Sequence, residues 1–517
     1  MGELLTTLKK NRTRYATLAI LAVLFFTASQ GMEADDWALT VLRGLSVGMI
    51  TFLVAAGLSL ILGLMDVLNL AHGELFMIGA YVGWTVYVRP DTVVDVTTPF
   101  LLLAIGFVLL PTLKVFLGRI NFSGQVAAVW PWLALLIGGG LGFYLLRSYP
   151  IAIWNPEEFA LSPGTFALAL DQGRLIVEAA EGASIIMLLG LLVAGLLLGA
   201  AVVGFQLRRE AGMSSTHISR GPVITAAVLL VVALIAHFAN DALTMALLEM
   251  NSTWRFFLAM GVATGVGVLL GGLIEATLVR PLYDRPIYQL MLTLGLSFIG
   301  IEMVRYLWGR PEFTMPKAEL FNGRGDACPA ENLADLWANQ CATMNLFGAR
   351  IRTYNEIFII VVGLVVLVAV WLLLQRTRIG MIIRAGVQDS EMVEALGINV
   401  RRVFTMVFAL GVGLAALGGI LAAPSIGLST DMGTRLLLLA LIALAIGGLT
   451  SFPGAAAGAI LVGLLQQFMI KYGQIGINLP FLAEPFKPSP PLVPASTVLL
   501  MVIILLVLPH GLFGRNE

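Results

Sequence analysis

ALTVLRGLSVGMITFLVAAGLSLILG, residues 38–63, decides the fold. An apolar run of about 20 residues is the length at which a helix crosses a roughly 30 Å hydrocarbon layer. Comparable runs recur at 183–205, 255–275, 287–308, 355–375 and 403–424. Shorter or interrupted ones lie at 15–31, 67–88, 99–117, 129–147, 222–239, 435–449, 453–471 and 496–511. Backbone groups in lipid must be satisfied inside the spanning structure, and runs this continuous exclude the alternation of barrel strands. The expected fold is all-α: a polytopic membrane helix bundle of about 12–14 hydrophobic segments, some of them re-entrant.

Composition agrees. Hydrophobic residues make up 58% of the chain and charged residues 12%, about half the charged share of a soluble domain. Net charge is zero and says nothing about partners, but the distribution of charge does. Lys9, Lys10, Arg12 and Arg14 precede the first run. Basic groups return at Lys114/Arg119, Arg208/Arg209/Arg220, Arg280/Arg285, Arg376/Arg378/Arg384/Arg401/Arg402 and Arg515. Counting spans places these clusters on one face, which the positive-inside rule makes cytoplasmic. Arg147 is the exception, at an outer end. Both termini are then inside. The run after KKNRTR also has the look of a signal peptide; a retained helix is the expectation.

The organisation expected is an extra N-terminal helix at 1–37, a first helical pair at 38–88, inserted segments at 89–252 and a remaining core at 253–517. The two cysteines, Cys328 and Cys341, fall in the polar stretch 309–354. That stretch is placed outside, where a disulfide between them can persist. Two cysteines without clustered histidines are too few for a zinc site, and no metal site is expected.

Four stretches carry more than hydropathy. GLMDVLNLAHGELFMIGAYVG, 63–83, interrupts two apolar helices with Asp66, Asn69, His72 and Glu74. Each charge at mid-membrane costs about 2.5–3.5 kcal/mol. These groups therefore either cap two helix ends at the inner face or line a solute path where a helix is broken. ATLVRPLYDRPIYQLMLTLGLSFIG, 276–300, has arginine–proline pairs bracketing a tight turn. QRTRIGMIIRAGVQDSEMVEALGINVRRVF, 375–404, is basic and holds a short helix that Asp389 or Ser390 can cap and Gly397 can end. Met392 and Leu396 share one face of it, with Glu391 and Glu394 turned elsewhere. IALAIGGLTSFPGAAAGAILVGLLQQF, 442–468, is broken at Gly447, Gly448 and Pro453-Gly454, either as a tight hairpin or as a transporter site.

Together the four resemble the permease subunits of high-affinity branched-chain amino acid ABC importers, a family with urea-permease relatives. The resemblance rests on Asn69, Ala71, His72, Gly73, Glu74, Met77, Gly79, Ala80 and Tyr81; on Arg280, Pro281 and Leu282; and on Thr377, Arg378, Gly380, Arg384, Ala385, Gln388, Asp389, Glu391, Leu396, Gly397, Ile398 and Asn399. It rests further on Gly447, Gly448, Pro453, Gly454, Ala455 and Gly458, and on the PHGLFG tail at 509–514. It covers roughly 38–88 and 253–517, in the same order throughout.

The resemblance implies a permease subunit in the bacterial inner membrane, carrying branched-chain amino acids or a related small polar solute. Its implied partners are a second homologous permease, two cytoplasmic ABC ATPases and an extracytoplasmic solute-binding protein, with no nucleic acid. ATP would be bound by the partners, and no cofactor by this chain. The segment 376–402 would dock on the ATPases through Arg384, Asp389, Glu391, Glu394, Leu396 and Gly397. Asn69, His72, Glu74, Gly447 and Gly448 are the candidates for the substrate pathway. No Gly-Lys-Ser/Thr occurs in the sequence, so there is no P-loop to hold a nucleotide. Catalytic residues are not expected. A urea or short-amide permease stays open. So does an ion-coupled transporter using His72 and Glu74 as a proton relay.

Overall fold

The computed structural model describes residues 12–28, 31–120, 124–151, 183–209, 220–283, 285–309, 312, 314–325, 327–346, 348–388, 390–477 and 484–514. The chain forms two compact units, Met1–Trp84 with Ser252–Glu517, and Thr85–Asn251. Among the described residues, ten helices are long and apolar enough to cross a membrane. The protein is an all-α, multi-pass membrane bundle.

In the first unit, α1 (Arg12–Thr27), α2 (Ala34–Met65) and α3 (His72–Val88) are followed, after the second unit, by α10 (Ser252–Ile274) and α11 (Pro286–Trp308). Then come a short α12 (Leu333–Asn339), the hairpin β1 (Thr343–Leu346) and β2 (Ala349–Arg352), and α13 (Ile359–Arg376). Two short helices, α14 (Arg378–Gln388) and α15 (Ser390–Ala395), lead into α16 (Val400–Ile426), α17 (Met432–Gly447), α18 (Phe452–Ile475) and α19 (Leu492–Val507). Asp35 and Asp36 occupy the first turn of α2, where the helix dipole favours negative charge. Asn399 caps α16 by accepting the Arg402 N–H at 3.1 Å.

Glycine sets the spacing of this bundle, because small residues let helix backbones meet in lipid. Gly44 and Gly48 of α2 lie against Leu464 and Ile460 of α18, and Gly57 against Gly411 of α16. Gly267 and Gly271 of α10 fit against Ala416, Val412 and Ala409 of α16. Gly447 of α17 meets Gly454 of α18. The helix α1 packs Phe25 onto Trp37 and Phe468 at centroid distances of 5.5 and 5.9 Å.

One end of the unit carries a small disulfide-bonded subdomain. Cys328 and Cys341 are joined, with Cα atoms 5.6 Å apart. The antiparallel pair β1–β2 registers Thr343 with Arg352. Ala330, Cys341, Met344, Ala349 and Ile351 form its core, with Leu39 and Leu42 of α2 packed against it.

The second unit holds α4 (Pro90–Val108), α5 (Leu110–Leu117), α6 (Gly124–Arg147), α7 (Ile185–Arg209), α8 (Arg220–Phe238) and α9 (Asn240–Glu249). Gly106 of α4 meets Gly195 of α7 backbone to backbone. The start of α4 is polar and buried. Arg89 pairs with Asp91 at 2.7 Å, Asn240 donates to Asp95 at 2.8 Å and Thr98 to the Ala233 carbonyl at 3.2 Å. Each of these polar groups is met by a partner, as burial requires.

Candidate functional site: a broken helix and an exposed helical segment

The helix α2 ends on Asp66, which adopts a left-handed conformation at φ 52°. The chain reverses over 66–71 and restarts as α3. Asn69 organises the restart: its Oδ1 accepts the Ala71 N–H at 3.1 Å and its carbonyl accepts the His72 N–H at 3.2 Å, an Asx turn. From Ala71 to Tyr81 every residue is buried.

The depth of this break follows from its neighbours. The His72 ring lies beside Gly57, which itself touches Gly411. At 1.5 Å per residue, Gly411 is about 16 Å along α16 from Val400 and about 22 Å from Ile426. Gly73 meets Gly433 backbone to backbone, and Glu74 packs against Gly300, about 21 Å along α11 from Pro286. The break therefore lies within the spans of α11 and α16 and beside the first turn of α17.

Two residues apart on a helix means roughly 200° apart around it. His72 faces α2 and α16, whereas Glu74 faces α11 and α17. The two side chains therefore lie against different helices. Glu74 Oε1 accepts the Thr434 hydroxyl at 3.1 Å, while Oε2 has no hydrogen-bond partner. The Asn69 amide nitrogen is likewise without one.

Gly447 and Gly448 are not part of this place. Gly433, beside Gly73, is about 21 Å from Gly447 along α17. At that far end the Gly447 carbonyl accepts the Phe513 N–H at 2.9 Å and the Ile446 carbonyl accepts Leu512 at 2.8 Å. Gly448 has φ 112°, a conformation that glycine adopts without strain, and a β-carbon there would strike Gly514. This end is a packing junction between the α17–α18 turn and the PHGLFG tail.

The basic segment forms α14 and α15. Thr377 caps α14 by accepting the Gly380 N–H at 3.1 Å. A β-carbon on Gly380 would strike the carbonyls of Leu373 and Leu374, so glycine permits the sharp turn out of α13. Arg384 folds back and donates to the Leu374 carbonyl and, at 3.4 Å, to Gln375 Oε1. It neutralises the C-terminal end of α13 while remaining exposed. Ile383, Val393 and Val400 anchor the segment by burial.

Asp389 and the side chains of Ser390 and Glu391 lie outside the described residues. Glu394 is exposed, and Met392 and Leu396 are 60% and 72% exposed. Gly397 ends α15 at φ 83°, with its N–H bonded to the Glu394 carbonyl at 2.9 Å and the Ile398 N–H to Val393 at 3.3 Å, a Schellman-type stop.

The family model for the branched-chain amino acid transport system permease component matches residues 182–508. The chain belongs to this family. The match starts earlier than the sequence motifs alone had placed it, taking in α7 to α9, and the Asn69–His72–Glu74 break lies before it. The high-affinity branched-chain amino acid permease protein LivH of Escherichia coli is 26% identical over 273 residues, half of this chain and 78% of that protein. BraD of Pseudomonas aeruginosa, of the same description, is 30% identical over 166 residues, 32% of this chain and 49% of that one. A fructose import permease protein, FruF of Bifidobacterium longum, is 29% identical over 122 residues, 22% of this chain and 34% of that protein. No solved structure matches the chain. In this permease the exposed, charged α14–α15 segment and the buried break at the start of α3 are thus two separate features at opposite extremes of burial.

Proposed function

We propose that this permease is the translocation subunit of an ATP-driven importer of branched-chain amino acids in a bacterial inner membrane. A second permease, two cytoplasmic ATPases and an extracytoplasmic binding protein would complete it. The observation that carries the reading is α15: an apolar face of Met392 and Leu396 held exposed on a short helix that is anchored through the buried Val393. Exposed apolar side chains rimmed by charge mark a protein-docking surface. The chain itself holds no P-loop, so the energy source sits on a partner. The family membership and the LivH and BraD relatives supply the solute class.

The test is transport in right-side-out vesicles from the native membrane, loaded with ATP and supplied with the periplasmic fraction. Labelled leucine, isoleucine or valine accumulates in wild-type vesicles, and the accumulation vanishes when this gene is deleted. Accumulation that continues without ATP on a proton gradient alone, or that survives the deletion, defeats the reading.

A further inference from the structure

We propose that Glu74, seated beside Thr434 between α3, α11 and α17, receives the ammonium group of the transported solute. The inference rests on the importer reading and adds a place and a chemistry to it.

The argument starts from a comparison of buried carboxylates in the first unit. Glu275 is fully buried and is met by Arg280 and by the Tyr283 hydroxyl. Glu356, 3% exposed, is met by Arg43 and by the Arg352 N–H. Glu74 is 2% exposed, yet among the described residues its Oε1 is met by the Thr434 hydroxyl alone and its Oε2 by no donor. A buried acceptor left without a donor carries its full desolvation cost. An ionisable group inside a membrane bundle is retained where a substrate or ion uses it.

Water, a metal ion, a proton or an ammonium group could satisfy Oε2, and water brings donors but no charge to balance a buried carboxylate. A bound metal ion needs several more ligands, and among the described residues no group of three His, Cys, Asp or Glu side chains could supply them. A proton on Oε2 would remove the charge and leave an O–H donor that still needs an acceptor. An ammonium group brings up to three donors and one positive charge, which suits a lone carboxylate with a hydroxyl beside it. Urea and sugars carry no such charge.

The surroundings are consistent with an aliphatic zwitterion. Gly300 of α11 puts no side chain between that helix and Glu74, and Ile78 flanks the same spot. The three helices touch here in this structure, through Gly73, Gly300 and Gly433. A solute therefore reaches Glu74 only when α11 or α17 draws back.

The experiment is cysteine labelling in native-membrane vesicles carrying the whole importer. Both natural cysteines are tied up in the disulfide and no free thiol is present among the described residues, so Thr434→Cys is the reactive thiol to follow. The cationic reagent aminoethyl methanethiosulfonate should react with it about tenfold or more faster than the anionic sulfonatoethyl reagent. Glu74→Gln in the same background should erase that preference, and leucine should slow the cationic reagent severalfold while 4-methylpentanoate, its analogue without the ammonium, does not. Equal rates for the two reagents, or no labelling by either, overturns the proposal even if leucine import itself is sound. A Glu74-dependent charge preference with no leucine protection keeps the ammonium site and instead sinks the amino acid as the solute. Thr434→Cys chains that fail to reach the membrane are replaced by Gly300→Cys, which faces the same carboxylate and carries the same two expectations.

Discussion

Arg280 grips Glu275 with two parallel hydrogen bonds, Nε–H to Oε1 at 3.1 Å and Nη2–H to Oε2 at 2.8 Å. Five positions along an α-helix would point these side chains about 140° apart. The chain solves this by winding Glu275–Val279 as a π-turn, whose five-residue hydrogen-bond repeat lines them up. The Tyr283 hydroxyl adds a bond to Glu275 at 2.5 Å, and Arg280 reaches Thr405 of α16 at 2.5 Å. Burial and the Glu275 carboxylate hold the Tyr283 phenol well above its ordinary value, so it stays a donor. The knot ties the turn between α10 and α11 to the helix that follows α15.

The two partners differ in exposure: the Arg280 side chain is 33% exposed and that of Glu275 fully buried. Removing Arg280 strands a carboxylate out of water, at a cost of about 3–5 kcal/mol. Removing the charge of Glu275 leaves a guanidinium that water can still reach, at a cost of about 1–2 kcal/mol. Thermal unfolding in detergent should therefore rank Arg280→Met well below Glu275→Gln. A reversed order would mean that the carboxylate is solvated by a route the structure lacks.

Glycines give a second ranking. A β-carbon on Gly79 would run into the backbone of Ala416, whereas Gly261 and Gly265 have nothing within 4 Å. Gly79→Ala should cost about 1–3 kcal/mol through overpacking. Gly261→Ala should be neutral or stabilising by up to about 1 kcal/mol, the helix-propensity gain. Comparing unfolding midpoints of the two variants settles it; equal effects would place α3 and α16 further apart than they stand here.

These contrasts show what the sequence could and could not report. Apolar runs state length and continuity directly, so the membrane helices were legible. Small-residue spacing is symmetric with respect to what it faces. Gly44/Gly48, Gly267/Gly271 and Gly261/Gly265 look alike in sequence, and only the first two pairs touch another helix. Asn69, His72 and Glu74 read as one polar cluster because they are close in the chain, but a helix turns His72 and Glu74 to opposite sides. Gly447 and Gly448 share a breaker signature with transporter sites, and what they accommodate is the backbone of the C-terminal tail, some 60 residues downstream. The hairpin at 343–352 gave no signal, since four-residue strands are too short for alternation to stand out.

The Cys328–Cys341 bond closes a loop with a sequence separation of 13. Loop-closure entropy puts its contribution at about 3 kcal/mol, and the loop it closes packs into the core around Met344 and Ile351. Reduction or Cys341→Ser should expose 314–352 to trypsin at Arg324, Arg350 and Arg352 while leaving the spanning helices resistant. Digestion spreading into α2 or α13 would mean that the subdomain supports the bundle itself.

Gly397 offers the sharpest separation of coupling from stability. Its φ of 83° is costly for any residue with a β-carbon, roughly 1–2 kcal/mol, yet nothing lies within 4 Å of where that carbon would sit. Gly397→Val therefore meets no clash and pays only a local backbone cost, which α15 can relieve by unwinding its last turn and moving Leu396. The bundle, held by α2, α16 and α18, is untouched. The unfolding midpoint should stay within a few degrees of wild type, while leucine uptake falls about tenfold or more, a loss of at least ~1.4 kcal/mol in coupling. On the proposed importer reading, ATP hydrolysis by the partner subunits should persist without driving transport. Leu396→Asp should act in the same direction by charging the exposed apolar face, with no backbone strain at all. Normal uptake in both variants would remove α15 as the docking element and leave the α14 surface, with Ile379 and Met381 exposed, as the place to look.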